Sequence, residues 1–176
     1  MLSSIYQLIK QRLTTECSFK EVDWFMNQYA QLKDENTLFT TPAAYIQFAP
    51  INTTSLHSGN IQQLEISLDI HVVHEAWYDN DQRITALKHL QAVESVYKSL
   101  QNWNAFLSSL DEYADLKGTE NDKLMINSIV RTSLTPDHSL SNLLITLQRF
   151  SFIAYDYSAT VDFSEIIANL VVQVTN

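Results

Sequence analysis

Two histidines and several carboxylates fall close together in the stretch IQQLEISLDIHVVHEAWYDND, residues 61–81. His71, His74 and Glu75 suggest a metalloenzyme fragment, because imidazole and carboxylate groups are common ligands of transition metals. A zinc-binding pair on a strand is spaced i and i+2, and the helical pair of this type is spaced i and i+4. A spacing of three sends the two imidazoles to opposite faces of a strand. We therefore predict no metal site here.

The same stretch has the clearest strand pattern in the chain. Apolar and polar residues alternate over about ten positions, which is typical of an antiparallel strand with one face on the core. The apolar set is Leu64, Ile66, Leu68, Ile70 and Val72, and the polar set is Glu65, Ser67, Asp69, His71 and Glu75. We predict a half-buried strand whose polar face, including His71, is solvated or meets another subunit.

Composition excludes several enzyme classes. The chain has only two glycines, Gly59 and Gly118. Phosphate-binding loops, the dinucleotide fingerprint and the nucleophile elbow each need clustered glycines, so none of them can be built. The acidic stretch Asp111–Asp122 has Gly118 at position 8 rather than position 6, which excludes an EF-hand. We therefore do not expect a nucleotide-dependent enzyme.

Charge and cysteine content limit the partners and the cellular compartment that we expect. Eleven Lys and Arg against twenty Asp and Glu give a net charge of −9, and the basic residues are scattered singly. Phosphate contacts dominate nucleic-acid affinity, so we expect neither specific nucleic-acid binding nor attraction to anionic membranes. No long apolar run or secretory signal is evident, and the single cysteine, Cys17, fits a reducing cytoplasm.

The N-terminal part predicts one helix and two strands before the long strand. Ser3 or Ser4 can cap the helix, and Phe19–Tyr29 alternates loosely enough for a strand. A short strand occupies Pro42–Pro50, and the polar segment Thr53–Asn60 predicts a loop or a hairpin connection. The apolar face of the helix consists of Ile5, Leu8, Ile9 and Leu13.

The C-terminal part predicts a second helix and a hairpin. The helix begins after the cap YDND and runs through Ser99, and a short helical connection follows it. Strands at Leu124–Ser133 and Leu140–Tyr157 flank the turn TPDHSLS, and a parity change in the second strand indicates a bulge near Arg149. The predicted buried stripe of the helix consists of Ile84, Leu87, Leu90, Val93, Tyr97 and Leu100.

The predicted fold class is α+β, with an antiparallel β-sheet of about five strands and helices packed on one face. The order of elements is α, β, β, β, α, β, β, followed by a tail. No repeat or proline-rich linker interrupts the chain, so we predict a single domain over residues 1–157. Residues 158–176 are rich in β-branched side chains and predict a C-terminal arm or an extra strand of the same domain.

The order and spacing of several features resemble the tail-terminator, or tail-completion, proteins of long-tailed bacteriophages and prophages. The resemblance spans roughly residues 1–157 and rests on order and spacing rather than on one diagnostic motif. The features are Val22-Asp23, Gln28, the strand led by Pro42, the long alternating strand running into a polar helix cap, and a terminal hairpin containing Asp156.

The resemblance implies a structural protein without catalysis or a cofactor. Such a protein forms a ring, commonly a hexamer, that caps the tail tube, ends its polymerisation and joins it to the head connector. Its location would be the virion tail, and the host cytoplasm during assembly. A ring closes through heterologous contacts, in which one patch meets a different patch on the neighbour. An acidic lumen would let DNA pass without sticking.

Candidate contact residues follow from this interpretation. We expect substitution of Asp69 or Trp77 to weaken assembly and leave the monomer folded. The candidate subunit or partner interface comprises Glu65, Asp69, His71, Glu75 and Trp77 on the long strand, His57 in the loop before it, and Asp137 and His138 in the later turn.

Two other interpretations stay open. One is a small cytoplasmic ligand-binding domain or enzyme that uses the acidic and histidine face of residues 64–78. A deep pocket that collects those side chains, with a perturbed carboxylate, would favour it. The other is a cytoplasmic interaction domain of a different kind.

Overall fold

The computed structural model describes residues 2–31, 40–56, 61–76, 82–106, 124–140 and 142–156. These residues form a mixed α+β fold. Its elements are α1 (Leu2–Glu16), β1 (Glu21–Trp24), a 3₁₀ helix (Gln28–Gln31), β2 (Ala43–Phe48), β3 (Asn52–Leu56), β4 (Ile61–Glu75), α2 (Gln82–Leu100), β5 (Ala105–Phe106), β6 (Leu124–Ile126), β7 (Val130–Asp137) and β8 (Leu143–Asp156).

Several features named above lie outside the described residues. They are His57, Trp77, the helix cap YDND, most of the predicted helical connection after α2, the acidic stretch Asp111–Asp122 and the tail 158–176. The expectations attached to them, including the division into a domain and a C-terminal arm, therefore stay predictions.

Two long antiparallel strands form the centre of the sheet. β4 and β8 pair without interruption from Gln62 opposite Asp156 to Glu75 opposite Leu143. β2 and β3 follow one another along the other edge of β4, and β6 and β7 do the same along the other edge of β8. The sheet is therefore built from two hairpin-like halves joined along β4 and β8.

Short strands extend this sheet at both ends. β1 runs parallel to β2, and β5 pairs antiparallel with β6, so the main path is β1-β2-β4-β8-β6-β5. The predicted α+β class with a mostly antiparallel sheet is confirmed. The prediction of about five strands agrees with the five longer strands, and the eight-stranded described sheet also includes the short strands β1, β5 and β6, of 4, 2 and 3 residues. The predicted strand Leu124–Ser133 is two strands, β6 and β7.

Helix α1 agrees with its sequence pattern on the buried side. Ile5, Leu8, Ile9 and Leu13 are all fully buried, as the spacing of three and four residues predicts. The predicted cap is wrong, because α1 begins at Leu2 and both Ser3 and Ser4 lie inside it.

The first predicted strand is shorter than expected. β1 ends at Trp24, and Asn27 then has a φ of 61°, a left-handed conformation that extended chain does not adopt. The Gln28 side chain fixes this bend, because it accepts from Met26 N at 2.7 Å and donates to Trp24 O at 2.6 Å. The 3₁₀ helix that follows packs against one face of the sheet.

The buried face of α2 differs from the predicted apolar stripe. Leu87 and Leu90 are 56 and 61% exposed, whereas the polar His89 is buried. His89 can enter the interior because its ring finds hydrogen-bonding partners there. The buried positions of the described helix side chains are His89, Val93, Val96, Ser99 and Leu100.

The irregularity expected near Arg149 lies on the neighbouring strand. β8 pairs continuously with β4, and the register shift falls in β7 between Arg131 and Ser133, opposite Arg149. The parity change in the sequence has another cause. Thr146 and Gln148 are polar but buried, so they share the inner face with the apolar residues that follow them.

The sheet carries buried clusters on both faces. One cluster contains the buried apolar residues of α1 and α2 together with the even-numbered residues of β4 from Leu64 to Val72. The second, smaller cluster lies on the other face and contains Tyr29, Ala43, Tyr45, Val73, Leu143 and Ile145. Residues Leu68 to Val73 of β4 are therefore buried on both faces.

This burial corrects the predicted solvated face. Asp69 and His71 are only 5 and 7% exposed, while Glu65 on the same side of β4 is exposed. The reason is that the segment around the 3₁₀ helix covers the C-terminal part of that face, including His71.

Candidate functional site

His71 is held on three sides. Tyr29 Oη lies 2.7 Å from its Nδ1, Gln47 Oε1 lies 3.0 Å from its Nε2, and the Phe25 ring stacks on it at 4.0 Å and 8°. The Gln47 oxygen can only accept, so Nε2–H donates to it and Nδ1 accepts from the Tyr29 hydroxyl. The contacts thus specify one neutral tautomer of the imidazole.

Burial sets the protonation of this group. It lowers the pKa of His71 to about 4, although the charges of Asp69 and Asp137 oppose the shift. Burial, together with the Asp137 charge, raises the pKa of Tyr29 to about 12. Both side chains are therefore neutral at pH 7. Their contacts attach the 3₁₀ segment to the sheet.

Asp69 is bound to a residue on the neighbouring strand. Arg149 Nε and Nη2 donate to Asp69 Oδ1 and Oδ2, each at 2.7 Å. The two residues are direct register partners across β4 and β8. The Asp69 side chain is 7% exposed and the Arg149 side chain 46%, so the pair reaches from the interior to the surface. The bidentate geometry occupies both carboxylate oxygens.

The described members of the predicted interface differ in their exposure. Glu65 and His138 are exposed, Glu75 and Asp137 are half-buried, and Asp69 and His71 are buried with the partners described above. Asp137 lies near enough to His71 and Tyr29 for its charge to affect both pKa values, and its Oδ1 accepts from Ser139 N.

A second buried polar group joins α2 to β8. His89 Nε2 lies 2.8 Å from Thr146 Oγ1, and its Nδ1 lies 3.3 Å from His74 Nδ1. Burial and the neighbouring His74 lower the pKa of His89 to about 4. Burial and the charge of Lys88 lower the pKa of His74. Only one of the two facing nitrogens can carry a proton, so at least one of the two rings is neutral in this contact.

The polar contacts continue along α2 to β7. Gln148 is completely buried, donates from Nε2 to Val93 O at 2.9 Å, and accepts from Arg131 Nη1 at 3.2 Å. The Arg131 guanidinium also stacks on the Tyr97 ring at 4.1 Å. These contacts hold β7 beside α2.

A cleft of about 410 Å³ opens between the end of α1, the start of β2 and α2. Its lining is mixed in character and includes Glu16, Phe19, Pro42, His74, Lys88 and Ser95. None of Glu65, Asp69, His71 and Glu75 lines it. Among the residues the structure describes, no group of three or more His, Cys, Asp or Glu side chains could hold a metal ion.

Large apolar side chains are exposed at both ends of the sheet. At the β1 end, Leu2, Trp24 and Met26 are 41, 38 and 65% exposed, and we call these residues the β1 patch. Trp24 packs edge-on against Tyr6 and Phe48, with ring centroids 5.7 and 5.5 Å away. The sequence pattern placed Trp24 and Met26 with Val22 on one side of a longer strand, and only Val22 is buried.

At the other end, Leu87, Leu90 and Leu134 are exposed, and we call these residues the β7 patch. Tyr97 of α2 contacts Arg131, and Leu90 lies two helical turns earlier on the same flank. Leu134 pairs with Gln148, whose side chain reaches the carbonyl of Val93. Leu90 and Leu134 therefore lie beside the same contact between α2 and β7. Sequence analysis missed this patch because it assigned both helix leucines to the core.

β7 itself is an exposed edge strand. It pairs with β8 along one side, and within the described chain no strand pairs with its other side. Six of its eight residues are exposed, so neither face of the strand is covered. A strand with a free edge can pair with another chain, which makes it a candidate contact surface.

The functional inference for this chain rests on its own residues. No protein-family model matches the sequence, and no curated protein matches it. Neither described helix has the length and apolar character needed to cross a membrane.

The Tyr29 hydroxyl provides a first test of the His71 site. Tyr29→Phe should lower the free energy of unfolding by about 1 kcal/mol, because His71 Nδ1 loses its donor in a buried position. Urea denaturation measures this loss, and ¹⁵N chemical shifts of the imidazole report the tautomer. Tyr97→Phe keeps its ring beside Arg131 and is the matched control. Gln47 should still hold the same tautomer in Tyr29→Phe, so an unchanged Nδ1 chemical shift together with an unchanged unfolding midpoint would contradict the assigned contact.

Proposed function

We propose that this chain is a structural protein of the tail-terminator type. In this proposal it forms a ring that caps a phage or prophage tail tube, ends tube polymerisation and joins the tube to the head connector. It acts without a cofactor, in the virion tail and, during assembly, in the host cytoplasm. The observation that carries the proposal is the edge strand β7, which is exposed on both faces and has a free edge in the described chain.

An assembly role explains why such a strand is present. Isolated proteins blunt their edge strands with charges, prolines or bulges, because a free edge invites pairing with other chains. β7 has some of these features, including a register shift near Arg131 and a proline at Pro136. It nevertheless exposes Val130 and Leu134, at 44 and 47%. Burial of these residues against another subunit would stabilise an assembly.

The charge of the chain is compatible with the same role. A net charge of −9 disfavours binding to DNA, which a ring around a DNA channel must let pass. In this proposal the acidic stretch Asp111–Asp122, which lies outside the described residues, faces the lumen. Its position in the ring remains part of the proposal.

The contacts of Asp69 and His71 argue against these two side chains as the site of the alternative ligand-binding domain or enzyme. Both oxygens of Asp69 are bound by Arg149, and His71 has hydrogen-bond partners at both ring nitrogens. A general base needs a free lone pair within reach of a substrate. Glu65 is exposed on the same strand, but Asp69 and His71 are engaged within the fold.

The solution mass of the purified protein tests the proposal. Light scattering behind a sizing column, across salt and protein concentration, should show a closed species of about six copies of the 20.2 kDa chain, or a rise towards it. A second sample should contain tubes assembled from a phage tail-tube protein, because a ring can close on a tube end. A mass of one chain in both samples, with no effect on tube length, would contradict the proposal.

A further inference from the structure

We propose that His74 and His89 form a binding site for a divalent transition-metal ion such as Zn²⁺, with the two Nδ1 atoms as its protein ligands. The ion joins β4 to α2 within one subunit. The site is independent of the proposed function, because it requires neither a ring nor a partner chain.

This pair differs from the one that the sequence suggested. His71 and His74 lie on opposite faces of β4, as their spacing predicts, and His71 contacts Tyr29 and Gln47. His74 faces α2, which supplies His89 as its neighbour. The spacing within one strand could not indicate this pair, because its second member comes from another element.

The distance between the two nitrogens is that of two ligands of one ion. His74 Nδ1 and His89 Nδ1 lie 3.3 Å apart. Zn–N bonds of about 2.0–2.1 Å at a tetrahedral angle place two ligand nitrogens about 3.3 Å apart. Hydrogen bonds donated by N–H groups most often have a donor–acceptor distance of about 2.9–3.0 Å. The separation therefore fits a shared cation better than a shared proton.

The orientation of the two rings agrees with this geometry. Their centroids lie 5.3 Å apart, and their planes are at 89°. Two imidazoles that both point at one zinc ion have centroids about 5.2 Å apart, because each centroid lies about 1.15 Å behind its nitrogen. Two rings in line across a hydrogen bond of the same N···N length have centroids about 5.6 Å apart. The observed distance is closer to the value for a common ion.

Both nitrogens are available as ligands near neutral pH. His89 Nε2 lies 2.8 Å from Oγ1 of the buried Thr146, and a proton on Nε2 leaves the lone pair on Nδ1. A hydrogen bond from the second ring nitrogen is the usual means of orienting a metal-binding histidine. Burial lowers the pKa of both His74 and His89, so zinc does not have to displace a proton from either ring.

The cleft beside His74 provides the remaining coordination positions. Structural zinc sites are closed by four protein ligands, whereas two imidazoles leave positions for water or a small ligand. His74 lines the cleft of about 410 Å³, so water reaches the ion from there. Lys88 lines the same cleft and its positive charge opposes the ion, but its side chain is exposed and solvent screens it. The site is therefore open, and it favours ions that prefer imidazole nitrogen.

Zinc titration of the metal-free, full-length chain tests the site. After dialysis against EDTA, calorimetric titration with ZnCl₂ at about pH 7.5 should show one ion bound per chain. His74→Gln should bind zinc about tenfold or more weakly, because loss of even an outer-shell partner typically costs about 10–100-fold in affinity. His74 is half-buried, and circular dichroism checks that the variant folds. His138→Gln removes an exposed histidine and is the matched control, with wild-type affinity expected.

Imidazole ¹⁵N chemical shifts of the wild type give a second measurement that needs no substitution at the buried His89. Zinc should move the Nδ1 resonances of His74 and His89 and leave both resonances of His71 in place, because its nitrogens are already bonded. The inference is overturned if no ion binds, if His74→Gln binds zinc as tightly as the wild type, or if the two Nδ1 resonances do not move. Each of these results leaves ring formation to the solution mass.

Discussion

Replacing Arg149 with methionine should lower the free energy of unfolding by about 2–3 kcal/mol. The substitution keeps the apolar stem that lies on the sheet but leaves the buried Asp69 carboxylate without its bidentate partner. Losing one member of a fully buried pair costs about 3–5 kcal/mol. The Arg149 side chain is 46% exposed, so water can partly replace it and the loss is smaller. Urea denaturation followed by tryptophan fluorescence measures the change.

Paired variants separate this effect from a general loss of packing. The double variant Asp69→Leu with Arg149→Met should be more stable than Arg149→Met alone, because no uncompensated charge remains in the interior. Glu65→Gln is the matched control on the same strand and should change stability by less than about 0.5 kcal/mol, since Glu65 is exposed. If Arg149→Met were as stable as the wild type, the ion pair would not be a stabilising contact.

The burial of Asp69 also alters an expectation drawn from the sequence. Asp69 appeared to be a surface residue whose substitution weakens assembly without affecting the monomer. Its 5% exposure places it in the fold, so a change there should destabilise the subunit itself. Assembly is better tested at exposed positions such as Met26 and Leu134.

Acid should destabilise the protein through two buried histidines. The pKa values of His71 and His89 are about 4 in the folded chain, against about 6.5 when unfolded. The unfolded state therefore binds more protons as the pH falls below about 6.5. Stability is fully present above that pH and is lost progressively down to about pH 4. We expect a loss of about 2–3 kcal/mol for each residue across this window.

The measurement is the urea unfolding free energy at several pH values between 4 and 8. His71→Gln and His89→Gln should each lose stability at pH 8 but depend less steeply on pH than the wild type. His138→Gln is the matched control, because His138 is exposed, and it should retain the wild-type slope. Equal slopes in all four proteins would show that neither buried imidazole governs the acid response.

The sequence correctly predicted burial where the pattern concerns one face of a single helix or strand. The alternation from Leu64 to Val72 and the apolar stripe of α1 each describe a single surface, and both are buried as expected. Alternation does not indicate whether the opposite face of a strand is also covered. Here the segment from Phe25 to Tyr29 covers His71, and nothing in the strand itself signals that contact.

Polar residues that satisfy one another account for the other differences. His89 pairs with Thr146, and Gln148 pairs with Val93 O and Arg131, so polar side chains occupy interior positions in α2 and β8. Prediction from hydrophobic periodicity assumes that interior residues are apolar. It fails where buried polar side chains satisfy one another through hydrogen bonds. The same assumption caused the β7 patch to be missed, because the helix leucines that the pattern assigned to the core lie on the surface.

The long pairing of β4 with β8 has a consequence for synthesis of the chain on the ribosome. The two strands come from opposite halves of the sequence, with α2 between them. Until β8 emerges, β4 has a free edge, and only the elements made before β8, such as α1 and α2, can cover its apolar face. Non-local strand pairing of this kind forms late and slowly, and exposed strands promote aggregation in nascent chains. Chaperone demand and heterologous expression yield should therefore depend on how quickly translation passes from β4 to the end of β8.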